Sequence, residues 1–227
     1  MLWLALELSP TGTICRNFSI QVAVPTEFGA DDASDPMDQR WLTSFYKQPV
    51  MGPVKVHADR IEGNEQADLR FHGGPDKAVL AYSADHYPAW RDQLALPEMG
   101  GGGFGENLTI SGQTEETVCL GDRYAIHNVI LEVSQPRQPC WKLARRWRVV
   151  DLPKRVIMTG RSGWYFRVIQ PGEITAGQKI TLLSRPHANW PLSRVNQVFY
   201  TRSRHPAERQ ALAAIPELAE AWRGDLL

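Results

Sequence analysis

The chain has 227 residues, 43% of them apolar, with basic and acidic side chains in equal number and a formal net charge of zero. That length builds one sizeable domain with an appendage, or two small domains, and the neutral balance argues against a protein that coats nucleic acid or anionic membrane through charge alone. Three cysteines without regular spacing do not make a disulfide framework, so a reducing compartment is expected.

The opening Leu2-Trp3-Leu4-Ala5-Leu6 is short, lacks a basic leader and meets Glu7 at once. It makes neither a signal peptide nor a membrane span, and a soluble cytoplasmic protein is expected. Residues 1–24 alternate apolar and polar in runs broken by Ser9-Pro10-Thr11-Gly12, which suggests a hairpin. From Pro25 to Pro53 the pattern dissolves into Gly, Asp, Ser and Pro, a long loop with a short helical turn near Trp41 to Tyr46. Val54-Lys55-Val56 restarts a strand, and residues 77–82 form another. Ser83 then caps a helix over 84–95 whose Tyr87, Trp90 and Leu94 share one face.

After the glycine run at 100–103, strands are predicted at 106–111, 117–120, 122–127 and 129–135, helices at 139–147 and 151–159, and strands at 163–170 and 178–184. Many short strands punctuated by Gly and Pro predict a mainly β, α+β fold built on an antiparallel barrel. Beyond Pro186 the pattern turns helical, with Pro191, Pro206 and Pro216 each where a helix begins. Three such short helices cannot bury a core alone, so they pack on the barrel or on a partner. The expected division is a barrel domain over 1–185, with its core motifs in 50–185, and a helical segment over 186–227.

The most informative stretch is Gln135-Pro136-Arg137-Gln138-Pro139-Cys140, where a strand meets a helix. Pro139 suits the first helical position, which would put Cys140 in the first turn, facing free backbone N–H groups. With Arg137 before it and Lys142 after it, the thiolate is favoured over the thiol. The basic setting is wider than these two: residues 137–161 hold eight basic side chains against the single acid Asp151. The ordinary reading of a cysteine, a small buried hydrophobe, suits Cys15 and Cys119 instead.

Three further motifs carry chemistry. His72-Gly73-Gly74-Pro75-Asp76-Lys77 exposes consecutive backbone N–H groups between two donors, suited to an anion, although the same residues make an ordinary turn. In Phe104-Gly105-Glu106-Asn107-Leu108 the Asn107 amide can orient a cofactor, while Glu106 reads as structural. Gly160-Arg161-Ser162-Gly163-Trp164 places Arg161 at a corner where it can close on an anion or simply face solvent. No nucleophile elbow, Walker loop, His-Glu-x-x-His or Cys-x-x-Cys is present, and the six histidines lack ligand spacing.

Taken in order, His72 to Ala78, Phe104 to Leu108, Val133 to Cys140 and Gly163-Trp164-Tyr165 resemble the MOSC domain, the C-terminal module of molybdenum cofactor sulfurases, in its stand-alone bacterial YiiM-like branch. The resemblance covers residues 50–185, and the helices after Pro186 resemble the tail of that branch. It implies a molybdenum cofactor (molybdopterin), independent of pyridoxal phosphate, whose metal Cys140 ligates; a soft thiolate suits a transition metal. Arg137 and Lys142 are the first implied cofactor contacts, followed by His72, Gly73, Gly74, Lys77, Asn107 and Arg161.

The implied activity is reduction of small N-hydroxylated compounds, of hydroxylaminopurine or amidoxime type, by oxygen-atom abstraction. Cys140 would be central, with His72 and Asp76 carrying protons. Electrons would come from a separate reductase, since no flavin, haem or iron–sulfur signature occurs here. Lys77 stands where relatives tend to have arginine, and the tail ends early at Leu227. The same residues fit a non-catalytic carrier of cofactor or persulfide sulfur. A nucleic-acid module stacking bases on Trp141 and Trp147 agrees less well with the neutral charge, so neither nucleic acid nor membrane is an expected partner.

Overall fold

The computed structural model describes residues 13–15, 18–201 and 206–226. Its strands are β1 (Thr13–Cys15), β2 (Phe18–Val22), β3 (Thr26–Phe28), β4 (Trp41–Thr43), β5 (Gln48–Pro49), β6 (Pro53–Val56), β7 (Val79–Ser83) and β8 (Leu108–Ile110). They continue with β9 (Arg123–Ile126), β10 (Val129–Pro136), β11 (Trp164–Gln170), β12 (Gly172–Thr175) and β13 (Ile180–Ser184). The α-helices are α1 (Leu69–His72), α2 (Tyr87–Leu94), α3 (Lys142–Trp147), α4 (Leu152–Thr159), α5 (Leu192–Tyr200), α6 (Pro206–Ala213) and α7 (Glu220–Leu226).

Nine strands make one curled sheet in the order β1-β13-β9-β10-β11-β7-β8-β2-β5, flanked by the pairs β12-β6 and β3-β4. This is a mainly β, α+β half-barrel. All its pairs are antiparallel except β7 and β8, where Ala81 faces Leu108 in parallel register; the helix α2 between them provides the crossover that a parallel pair needs. Alternation built the centre as expected: Val129, Leu131 and Val133 of β10 are buried with Tyr124 and Ile126 of β9. β10 is covered on both faces towards its end, because Ser134 and Glu132 lie under Asp76 and Arg167.

Three expectations are corrected. Trp41 to Thr43 is not a helical turn but β4, paired to β3 through Thr26–Thr43 and Phe28–Trp41; its rings pack on Phe28, Tyr46 and Trp141. Residues 117–120 form no strand, only a bridge from Cys119 to Pro191, since Asp122 takes the Cys119 N–H at 2.9 Å and bends the chain. The helix after the cysteine begins at Lys142, not Pro139, because β10 extends through Pro136 and the Arg137 N–H is still bonded to Gly163 at 2.9 Å. Of the expected N-terminal hairpin, the first arm and the Ser9–Gly12 turn lie outside the described residues, as do the Cys15 side chain, His205 and Leu227; β1 itself pairs with β13.

The C-terminal helices pack on the sheet. Leu192, Val195, Leu212, Leu218 and Trp222 belong to the same hydrophobic cluster as Leu120, Leu131 and Val133. A second cluster joins Tyr82, Trp90 and Phe104 to Leu143, Trp147 and Leu152, so that α2, α3 and α4 form a layer beside the Cys140 corner. No helix among the described residues is long and apolar enough to cross a membrane.

Candidate functional site

Cys140 lies four residues beyond the end of β10 and two before α3, half-buried, with its carbonyl accepting the Leu143 N–H at 3.2 Å. It therefore precedes the first helical turn instead of lying in it. What holds the corner is β11: the Gly163 carbonyl takes the Arg137 N–H, while the Gly163 N–H goes to Glu115 at 2.6 Å.

Two clefts meet at the cysteine, sharing Ala67, His72, Cys140, Lys142 and Tyr165. The inner one is walled mainly by buried residues, among them Thr43, Ser44, Leu80, Phe104 and Arg137, with Lys47 at its side. The outer one is rimmed by exposed residues: Leu42, Arg70, Trp141, Ala221 and Asp225. Cations prevail. Lys47, Arg70, Lys77, Arg137 and Lys142 line the two clefts, against the carboxylates of Asp68 and Asp225.

The inner cleft keeps polar atoms without protein partners. Arg137, only 4% exposed, has an unpaired buried Nη1, and Ser44 Oγ is likewise orphaned, as is Gln135 Oε1 on the outer cleft. Each such atom costs about 1–3 kcal/mol unless a bound group satisfies it. The charges tell the same story. Burial, then Lys142, Arg137 and Lys77, push the His72 imidazole down to about 4, leaving it neutral at pH 7. Burial also pushes the Lys47 ammonium down to about 7, partly opposed by Glu106. Such a site is short of negative charge, and an anion suits it.

The structure brings together Cys140, Lys142 and His72 at the junction, with Arg137 in the inner cleft and Lys77 in the outer one. Asn107 also touches the inner cleft, but its amide is engaged: Nδ2 donates to Gln21 O at 3.1 Å and Oδ1 accepts from Leu80 N at 3.2 Å. It ties β8 to both neighbours. Gly73 and Gly74 do not line either cleft. Instead Gly73 lets α1 close, since a Cβ there would meet the Leu69 carbonyl at 2.9 Å, and so it sets His72. The Asp76 carboxylate is bound by Arg167 at 2.6 Å and accepts the Glu220 N–H at 3.4 Å, and it lines neither cleft. Arg161 lines another cleft, beside His86 and Asn196, with its guanidinium 5.2 Å from the Trp90 ring centroid. Glu106 is structural as read: its carboxylate accepts from Tyr87 at 2.6 Å, Gly102 at 2.7 Å, Phe104 at 3.0 Å and Thr109 at 2.7 Å.

Sequence reasoning missed Ser44 and Lys47, which sit in what reads as a plain loop, and Asp225, which arrives from the far end of the chain. Lys47 bonds the Asn64 side chain. The β2-β5 pairing holds that loop against the sheet, and no local motif announces it.

The family description "MOSC domain" matches residues 68–181, half the chain, and "YiiM-like, 3-alpha helix domain" matches residues 190–226. The chain belongs to the MOSC family. Within it, the second match and the solved structure of YiiM from Geobacillus stearothermophilus place this MOSC protein in the YiiM-like branch. That structure is 34% identical, covers 96% of this chain and 97% of its own, and superposes with a TM-score of 0.76. Another MOSC relative, the uncharacterized protein YflK of Bacillus subtilis (strain 168), is 39% identical over 82% of this chain and 83% of its own length. A protein named "Reductase" from Gibberella moniliformis (strain M3125 / FGSC 7600) is 42% identical over 71% of this chain but only 29% of its own length. The family thus includes a reductase by name.

Proposed function

We propose that this MOSC protein holds a molybdenum cofactor, molybdopterin, through Cys140 and reduces small N-hydroxylated compounds of hydroxylaminopurine or amidoxime type. The observation that carries the reading is the buried Arg137, whose Nη1 has no protein partner, lining the same cleft as Cys140, a cleft short of negative charge. Among the described residues no three His, Cys, Asp or Glu side chains cluster as metal ligands, so a metal at Cys140 needs a group that brings its own donors, as a pterin dithiolene does.

The residues fit such a group. Arg137, Lys47 and the Ser44 hydroxyl offer donors to its anionic and polar parts, Lys142 lies on the junction, and Gln135 offers an acceptor from the outer cleft. When bound, the cofactor supplies two-electron redox chemistry and Lewis acidity at the substrate N–O bond. The chain supplies orientation and protons. Once an anion compensates Lys142, Arg137 and Lys77, the His72 imidazole regains affinity for a proton and can pass it towards the departing oxygen. Asp76, fixed by Arg167, is not in that route. Electrons then come from a separate reductase, since no flavin, haem or iron–sulfur signature occurs in the sequence.

The test is elemental analysis of wild type and Cys140→Ser expressed in a cell that makes the cofactor, followed by turnover of hydroxylaminopurine or benzamidoxime with a chemical electron donor. Wild type should retain molybdenum and turn over, and the variant should do neither. Equal molybdenum in both sinks the ligand assignment. A metal-loaded wild type that reduces neither compound with any donor favours a carrier of cofactor or sulfur.

A further inference from the structure

The outer cleft has a different chemical character from the inner one, and one of its walls comes from the helical tail. On α7, Trp222 and Leu226 are buried in the core, while Ala221 and Asp225, four residues apart on another face, line the cleft that contains Cys140. The helix is fixed there by Ala219 N–H to the Ser134 carbonyl at 3.0 Å and by Glu220 N–H to Asp76 at 3.4 Å. Ser134 belongs to β10, the strand that delivers the cysteine. The tail and the cysteine are therefore positioned by one strand.

Trp141 lines the same cleft. It is 52% exposed yet braced, its ring 5.3 Å from Trp41 and 5.0 Å from the Arg145 guanidinium. Arg145 is tied in turn to the carbonyls of Gln39 and Pro36. A large aromatic ring held half in solvent beside the reactive corner is a platform for a planar group. The cleft holds two carboxylates: Asp68, which accepts from Arg70 through both oxygens at 3.1 and 2.9 Å, and Asp225, which α7 brings to the same cleft within electrostatic reach of Lys77.

Resting on the reductase reading, we propose that the outer cleft is the substrate pocket. Trp141 stacks a planar N-hydroxylated group, and Asp225 accepts N–H bonds from its amidine or amino-heteroaryl end. The inner cleft, walled by buried donors, takes the anionic cofactor, and solvent-borne substrate meets Cys140 from the other side. The preferred substrates are then aromatic amidoximes and hydroxylamino-heterocycles, not small aliphatic hydroxylamines. The helical tail acts in this as a specificity element.

Steady-state kinetics of the holoenzyme and its Asp225→Asn and Trp141→Ala variants test this, with benzamidoxime against hydroxylamine, which has neither ring nor amidine. Either substitution should raise KM for benzamidoxime by about tenfold with kcat little changed, a stacking or charged hydrogen-bond effect. KM for hydroxylamine and the molybdenum content should hold. Equal change for both substrates, or none for benzamidoxime, overturns the assignment. Calorimetric binding of benzamidine, the amidine product, reads recognition without turnover and should weaken about tenfold in each variant. If the wild type turns over nothing, the reductase reading fails while the calorimetry still decides: weakened benzamidine binding supports the recognition pair, and unchanged binding overturns it.

Discussion

His72 shows how far a single side chain departs from its sequence reading. As a motif residue it is a donor beside two glycines; in place it is a neutral imidazole, pushed down to about 4 by burial and by three cations. The sign of the consequence follows from linkage. Its folded pKa lies below the unfolded value of about 6.5, so the unfolded chain binds the proton more readily and stability falls as pH drops from about 6.5 towards 4. In the cofactor-free protein His72→Gln should flatten that acid limb by up to about 3 kcal/mol, measured as the difference between the urea-unfolding free energies of wild type and variant across this window. Parallel curves would show that the imidazole does not titrate differently on folding. The site's legibility divides in the same way. Cys140, Arg137, Lys142 and His72 were readable because each lies in a short run whose chemistry is local. Asp76 and Arg161 lie in equally suggestive runs, but Arg167 and Trp90 take them elsewhere. Ser44, Lys47 and Asp225 reach the clefts only through long-range contacts.

At the scale of elements, hydrophobic period identified the strands at the centre of the sheet and every helix after Pro186, because burial on one face leaves a pattern. It missed β3, β4, β5 and β12 and invented a strand at 117–120, where side-chain bonds and ring packing decide the backbone. The start of β11 shows such a constraint at one residue. Gly163 has φ 74°, and a Cβ there would stand 2.5 Å from the Ala81 carbonyl of the neighbouring β7. Gly163→Ala combines a left-handed backbone with a backbone clash and should destabilise by about 2–4 kcal/mol. It should also weaken molybdenum retention, since the same residue's carbonyl holds Arg137. Gly160→Ala is the control: φ is 70° but nothing lies within 4 Å of the added carbon, so only the conformational cost of about 1 kcal/mol remains. Chemical denaturation of both variants separates clash from conformation, and equal losses would contradict the packing argument.

For the molecule as a whole, sequence left open whether the three C-terminal helices cover the barrel or a partner, because short helices with one apolar face look alike in either case. Here they cover the barrel, and backbone hydrogen bonds fasten them: Leu120 N–H to Trp190 O at 3.0 Å, Leu192 N–H to Val118 O and Ser193 N–H to Glu115 O at 2.9 Å each. Leu192, Val195, Val198, Leu212, Leu218, Trp222 and Leu226 are at most 1% exposed and share the sheet's hydrophobic cluster. Burying each such side chain is worth about 1.5–3 kcal/mol, against a net stability of about 5–15 kcal/mol for a whole domain. Losing several at once exceeds that margin, and it also uncovers the apolar surface they shield. A chain cut after residue 185 should therefore lack a cooperative thermal transition and bind a hydrophobic dye, as read by circular dichroism and fluorescence. The full chain should melt in a single transition, since the tail and the sheet share one hydrophobic cluster. A truncated barrel that melts cooperatively near the full-length midpoint would show instead that the helices are an appendage, and would leave their Asp225 wall as their main contribution to the molecule.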